Sequence, residues 1–201
     1  MKFEDVTFTG PPFDDAPLLN ALPPELAAFL LEENGFIAVR GGFHVRGACH
    51  EPTWHSLRVA WLGPESVASR YPTVRPDDIP FAEDAVGDQF LLRHGVVHRL
   101  SAETGEVESL DVGLSDFVSR AADDPIEYLN LGPLVAFEDT GGRLAPGQLL
   151  NVYPPYCVDA AGERSIRAIS AQEQHRSLAR LAEEIRDLPD GTRIRIVPKA
   201  R

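Results

Sequence analysis

The sequence predicts an α+β fold with a mainly antiparallel sheet and flanking helices. Three observations support this class. Apolar residues recur at helical spacing near both ends of the chain, while short apolar stretches bounded by turn residues fill its middle. The loops between those middle stretches are short, and short loops allow only hairpin connections, which make neighbouring strands antiparallel.

The N-terminal part of the chain predicts an arm followed by a helix. Residues 1–21 are rich in proline and aspartate and show little periodicity, which predicts an extended arm. The segment LPPELAAFLLEENG predicts a short helix, because prolines suit its first turn and Asn34-Gly35 suits its end. The apolar face of this helix consists of Leu22, Leu26, Phe29 and Leu30.

The middle of the chain predicts a meander of strands. Residues 36–51 alternate short apolar stretches with glycines, and residues 57–62 (LRVAWL) predict a further strand. The segment GPESVASRYP then predicts a short helix that ends at its second proline. Three antiparallel strands are expected at residues 89–93, 96–100 and 106–110.

Helices are expected after the meander. Ser115 is the predicted cap of one helix, and Asp124-Pro125 begins another as cap and first helical residue. Ser170 and Glu173 form a capping box at the start of the longest helix, which residues 192–197 (TRIRIV) follow as a last strand. The apolar stripe of the longest helix is Leu178, Leu181, Ala182, Ile185 and Leu188.

These elements divide the chain into three parts. An arm (1–21) precedes the main α+β domain (22–139). A C-terminal extension of strand, helix and strand (140–201) is expected to pack on the same domain.

The composition restricts the classes of partner. The net charge of −12 disfavours nucleic acids and anionic membranes and favours a protein with a basic surface. Acids dominate residues 77–139 in particular.

No apolar run is long enough to span a membrane, and the N-terminus lacks the apolar segment of a signal peptide, so we expect a soluble, cytoplasmic protein. Cys49 and Cys157 are expected to be buried, reduced thiols.

A histidine-rich segment raises the alternative of a metal-dependent hydrolase. His44, Cys49, His50, Glu51 and His55 are residue types that bind zinc. Their spacing matches no closed Cys/His motif, and adjacent residues of a strand point to opposite faces. We therefore favour a loop with polar histidines and one buried thiol, and predict neither a metal nor another cofactor.

Carboxylates cluster in the segment IPFAEDAVGDQFLLRHGVVHRL and just before it. Asp78, Glu83, Asp84 and Asp88 raise the question of acid–base catalysis or a cation site. The chain contains no GxSxG, P-loop, GxGxxG or HExxH motif. Because aspartate and glycine are ordinary turn residues, we interpret the segment as a hairpin whose acids serve turns and the outer surface, and predict no catalytic residue.

Three segments, in order, resemble the SUKH superfamily, which includes a yeast cell-wall assembly regulator and bacterial toxin-immunity proteins. LPPELAAFLLEENGF resembles its opening helix, and IPFAEDAVGDQFLL resembles its central signature of an apolar-Pro-Phe entry, an acid and Gly-Asp before a strand. VHRLSAETGEVESLDVGLSDFVSRA resembles its closing part. The resemblance covers roughly residues 20–122. It implies an α+β fold with a curved mixed sheet and flanking helices, and a non-catalytic binding role.

The resemblance implies that the protein neutralises a cognate toxin, for instance a nuclease, by covering a basic functional surface. The acidic composition agrees with this, since nuclease sites must hold phosphates. A regulatory scaffold or adaptor of the same fold is the alternative. The predicted partner-binding residues are Glu83, Asp84, Glu103, Glu106 and Glu108.

Overall fold

A seven-stranded antiparallel sheet forms the centre of the protein, as the α+β prediction requires. The computed structural model describes residues 3–159, 162–189 and 191–193. The strands of the large sheet lie side by side in chain order, and two further strands form a separate antiparallel pair. The strands of the large sheet are β1 (Phe8–Thr9), β2 (Phe36–Ala38), β3 (Phe43–Val45), β4 (Ile79–Asp84), β5 (Gln89–Arg93), β6 (Val96–Leu100) and β7 (Val107–Ser109), and those of the pair are β8 (Gln148–Tyr153) and β9 (Ser165–Ser170).

Helices precede, interrupt and follow the large sheet. Those before and within the meander are α1 (Ala16–Ala21), α2 (Pro24–Glu32), α3 (Leu57–Leu62) and α4 (Val67–Arg70). Those after it are α5 (Leu114–Asp123), α6 (Pro125–Tyr128), α7 (Gly132–Asp139) and α8 (Ala171–Ile185). Among the described residues, no helix is long and apolar enough to cross a membrane.

The main core lies on one face of the large sheet and is centred on Phe117 of α5. The ring of Phe117 lies 4.7 Å from that of Phe90, 5.7 Å from that of Phe81 and 6.0 Å from that of Phe43, measured between centroids. All four side chains are fully buried. Aromatic pairs at these separations stabilise the core beyond their buried area, so Phe117 fixes α5 on the sheet.

The opposite face of the sheet is covered by α4 and α8. Leu91 and Leu100 point to this side and form a second buried cluster with Tyr71, Leu178 and Ala182. The sheet is therefore buried on both faces near its centre. Successive side chains of a strand point to opposite faces, so both sets of side chains are inaccessible there.

A β-bulge in β4 decides which side chains face α8. The register between β4 and β5 shifts between Pro80 and Ala82. One extra residue in a strand reverses the in-and-out alternation beyond it. Phe81 and Ala82 consequently both belong to the main core, while Glu83 lies on the opposite face.

Most of the predicted elements are confirmed, including the strands of the meander and the capping of α6 by Asp124 and of α8 by Ser170. The prediction for residues 57–62 was wrong, because they form α3 and not a strand. Ser56 caps this helix, accepting a hydrogen bond from the Val59 amide. Leu57 and Ala60 are buried while Val59 is exposed, which is a helical and not an alternating pattern.

Two further expectations are corrected at the helix starts and the N-terminus. Helix α5 begins two residues earlier than predicted, with Gly113 at the cap position, so Ser115 is not its cap but donates its amide to the Glu25 carboxylate. The predicted arm contributes both β1 and α1, and Asp15 caps α1. The predicted last strand, 192–197, lies largely outside the described residues.

Candidate functional site: a buried charged cluster and an acidic edge strand

A row of polar side chains crosses three strands on the face that α8 covers. Cross-strand pairing places His44 of β3 opposite Glu83 of β4, and Glu83 opposite Gln89 of β5. Arg46, two residues after His44, joins them, and all four side chains are buried. His175 of α8 closes the cluster from above the sheet, with Nε2 lying 2.6 Å from the Glu83 carboxylate.

Glu83 is the centre of this cluster, and both of its oxygens are occupied. Oε1 lies 2.8 Å from His44 Nδ1, while Oε2 lies 2.8 Å from an Arg46 guanidinium nitrogen and accepts from Gln89 Nε2 at 2.9 Å. His175 also reaches Oε2. These partners hold the pKa of Glu83 well below its usual range despite the opposing effect of complete burial. The carboxylate is therefore ionised and fully paired.

Two imidazoles continue the cluster towards the backbone of the loop that follows α2. His44 Nε2 lies 2.9 Å from His55 Nδ1, and His55 Nε2 lies 3.1 Å from the carbonyl oxygen of Asn34. The groups at the two ends of this chain, the Glu83 carboxylate and the Asn34 carbonyl, can only accept hydrogen bonds. Each of the three contacts between them needs one proton, but two neutral imidazoles supply only two. A third proton would place another charge in the cluster, so one of the three contacts is without a proton at neutral pH.

Burial keeps both imidazoles neutral. Burial lowers the pKa of His44, although its hydrogen bond to Glu83 acts in the opposite direction. Burial and the neighbouring His44 lower the pKa of His55 to about 4. Both rings therefore act as neutral hydrogen-bonding groups at neutral pH.

The cluster contains the residue types of an acid–base site, but its His44–Glu83 side offers little access to a substrate. The cavity beside His44 and Glu83 has a volume of only about 10 Å³. A space of this size holds about one water molecule. The arrangement thus ties β3, β4, β5 and α8 together through buried charges, which is a structural role.

The other acids of the hairpin are also paired with protein groups. Asp78 is buried and forms a two-point ion pair with Arg93, at 2.6 and 2.7 Å. Asp84 Oδ1 accepts three backbone amides of the β4–β5 turn, and Arg99 contacts both Asp84 and Asp88. The predicted turn role of Asp84 is confirmed. The expectation that these acids face water was wrong for Asp78, Glu83 and Asp84, because counter-charges and amides replace the water.

The predicted partner-binding residues separate into three groups by burial. Glu83 and Asp84 are each only 1 % exposed, so their carboxylates cannot meet a partner in this structure. Glu103 is half-buried and accepts the amides of Tyr156 and Cys157. Glu106 and Glu108 are exposed at β7, where no ion pair within the described residues neutralises them. These last two remain available for binding.

The candidate metal ligands are dispersed. His44 and His55 belong to the charged cluster, whereas His50 and Glu51 are exposed and Cys49 is buried with its pKa raised to about 11 by burial. Within the described ranges, no group of three or more His, Cys, Asp or Glu side chains is arranged to hold a metal ion. Cys49 is a buried free thiol as predicted, but Cys157 is exposed.

Sequence reasoning missed Arg46, Gln89 and His175 as members of the cluster. The stretch FHVR alternates apolar and polar residues, which normally indicates a polar face in contact with water. Only the packing of α8 on that face, far along the chain, shows that the polar side chains are covered.

Comparison of the chain with known protein families, with curated proteins and with solved structures gives no match. The resemblance to the SUKH superfamily therefore stays a prediction.

Proposed function

We propose that this protein is a non-catalytic binding protein of the immunity type. It neutralises a toxin, for instance a nuclease, by covering a basic functional surface in the cytoplasm. The observation that carries the proposal is the exposed acidic edge of the sheet. Neither Glu106 nor Glu108 forms an ion pair with a described residue, since Arg99, which lies opposite Glu108 on β6, is paired with Asp84 and Asp88.

The position of these carboxylates supports recognition of a protein. Strand β7 is the last strand of the sheet and, among the described residues, pairs only with β6, so no further described strand uses its outer backbone groups. Asp111 is also exposed just after the strand, which extends the acidic edge. A basic partner surface finds here both negative charge and an edge able to accept a strand.

The state of the buried acids supports a role without chemistry. The carboxylates best placed for acid–base work, those of Glu83, Asp84 and Asp78, are held by arginines, histidines and backbone amides. The net charge of −12 repels nucleic acid and anionic membranes, which leaves a basic protein surface as the favoured partner. Long-range attraction of this kind mainly raises the association rate.

Charge reversal at the acidic edge tests the proposal. We expect the variant E106K/E108K to bind the partner at least about tenfold more weakly at low salt, because four units of charge change at the edge. The difference should shrink as salt is added. The measurement uses tagged wild-type and variant proteins as baits in extracts of the source cells, followed by binding kinetics with the purified partner.

The matched control is E32K/E33K, which changes the charge equally on exposed residues at the end of α2. A true partner should be retained by the wild-type and control baits. The wild-type protein should block the toxicity or enzymatic activity of that partner at a one-to-one ratio of the two proteins. Equal retention by all three baits, or a partner whose activity is unaffected, would contradict the proposal.

A further inference from the structure

A small electropositive cavity lies between α3, α4, α8 and the sheet. Its volume is about 50 Å³. That space holds about four water molecules, and their volume is comparable with that of one tetrahedral oxyanion. The residues that supply its polar lining include Arg46, Arg70, His175, Gln89, Thr53 and Ser56.

The charge of the lining is opposite to that of the protein as a whole. The chain carries 31 acidic residues, yet none of those in the described part of the chain lines this cavity. The charge of Arg46 is balanced by Glu83 directly behind it. The charge of Arg70 is not balanced in this way, since it forms no ion pair with any described residue. The cavity therefore has a net positive charge.

Both guanidinium groups keep unused donors. Arg70 donates from Nε and Nη2 to the backbone oxygen of Glu65, which leaves Nη1 without a partner among the described residues. Arg46, only 2 % exposed, donates from Nη1 to Pro80 and from Nη2 to Gln89, and its Nε makes no hydrogen bond within the described chain. Burial lowers the pKa of Arg70. A bound anion would offset the cost of that burial.

The cavity is connected with a larger cleft. Arg70 and Tyr71 line both the cavity and a cleft of about 600 Å³ that runs between α4, the β6–β7 turn and α8. Arg176 and Arg180 also line this cleft, where each pairs with an exposed glutamate. A ligand can therefore place its anionic group in the cavity and any remaining part in the cleft.

We propose that this cavity binds a phosphoryl group, either as free phosphate or as the phosphate of a larger molecule that extends into the cleft. Arg70 provides the unbalanced charge, and Arg46 provides a second guanidinium at a fixed position. Guanidinium groups match the oxygen spacing of phosphate and donate two hydrogen bonds in parallel. The cavity itself contains neither Glu106 nor Glu108, although Glu106 lines the far part of the cleft.

Fluorescence of Trp54 provides a direct measurement, because this residue lines the cavity. The variant W61F removes the signal of the other tryptophan. In this background, titration with sodium phosphate should give a saturable change that sodium chloride at equal ionic strength does not give. For a dissociation constant of about 1 mM, 20 mM phosphate should also raise Tm by about 4 °C.

The variant R70Q should weaken phosphate binding at least about tenfold, since it removes the unbalanced charge. R180Q is the matched control, because Arg180 lines the cleft but not the cavity, and it should bind phosphate as wild type does. Circular dichroism checks that each variant is folded. If R70Q does not fold, R70K takes its place. R70K keeps the charge but not the planar fork, and its affinity for phosphate should be intermediate.

O-phosphoserine distinguishes the two sources of the phosphoryl group. Tighter binding than inorganic phosphate supports a phosphorylated molecule that uses the cleft, and equal or weaker binding supports free phosphate. A phosphate titration identical to that with chloride would overturn the proposal. So would unchanged phosphate affinity in a folded Arg70 variant.

Discussion

Replacing Glu83 by alanine is expected to lower the free energy of unfolding by about 3–5 kcal/mol. The substitution leaves the Arg46 guanidinium buried without its counter-charge, and it removes the shared acceptor of His44, Gln89 and His175. Urea denaturation followed by circular dichroism measures the effect. For a small single-domain protein, a loss of this size is a large part of the total stability.

Two controls separate charge burial from general sensitivity to mutation. E108A removes an exposed carboxylate from β7 and should change the stability by no more than about 0.5 kcal/mol. The double variant R46M/E83L replaces the buried pair by apolar groups of similar size and should recover most of the loss. If E83A and E108A cost the same, or if the double variant is as unstable as E83A, the cluster does not have the electrostatic role described above.

Acidification from pH 7 to pH 4 is expected to remove about 3 kcal/mol of stability through His55. The pKa of His55 is lowered from 6.5 to about 4 in the folded protein. A histidine with a lowered pKa stabilises the fold above its unfolded pKa, and this contribution is lost as the pH falls towards the folded value. Glu83, whose pKa is also lowered, loses its contribution only when the pH falls below 4.5.

The slope of stability against pH between 7 and 5 contains the contribution of His55 together with those of His44, whose pKa burial lowers, and Asp84, whose pKa burial raises well above 3.8, so a comparison of variants is needed to isolate His55. H55Q should show a flatter slope over this interval, even if it is less stable at pH 7. H50Q is the control, because His50 is exposed, and its curve should parallel that of wild type. Parallel curves for H55Q and wild type would show that His55 does not titrate as the structure indicates.

Local sequence signals predicted most elements because their causes are local. The turn residues around β5 and β6, the Asp124-Pro125 pair and the Ser170 cap act over two to four residues, and the structure confirms them. The strand predicted for the segment LRVAWL was wrong for an equally local reason. Its β-branched and aromatic residues favour a strand, but Ser56 caps it as a helix that packs through Leu57 and Ala60.

The candidate site was only partly predictable. The acids at 106 and 108 were expected at the surface and lie there, since charged residues next to a tight turn are seldom covered. Glu83 and Asp84 were expected beside them but are buried. A β-bulge reverses the alternation of β4, and α8, some ninety residues later in the chain, covers the face that Glu83 then occupies.

Propensity, capping and net charge depend on residues and their near neighbours, so the amino-acid sequence was enough to predict the α+β class, the order of most strands and helices, and the negative charge that favours a basic partner. Only the tertiary structure decided which charges face water and which are enclosed. That outcome depends on the pairing of distant segments, such as Glu83 with Arg46 and His175. The cost of burying a charge can be offset only by groups that the fold brings to it.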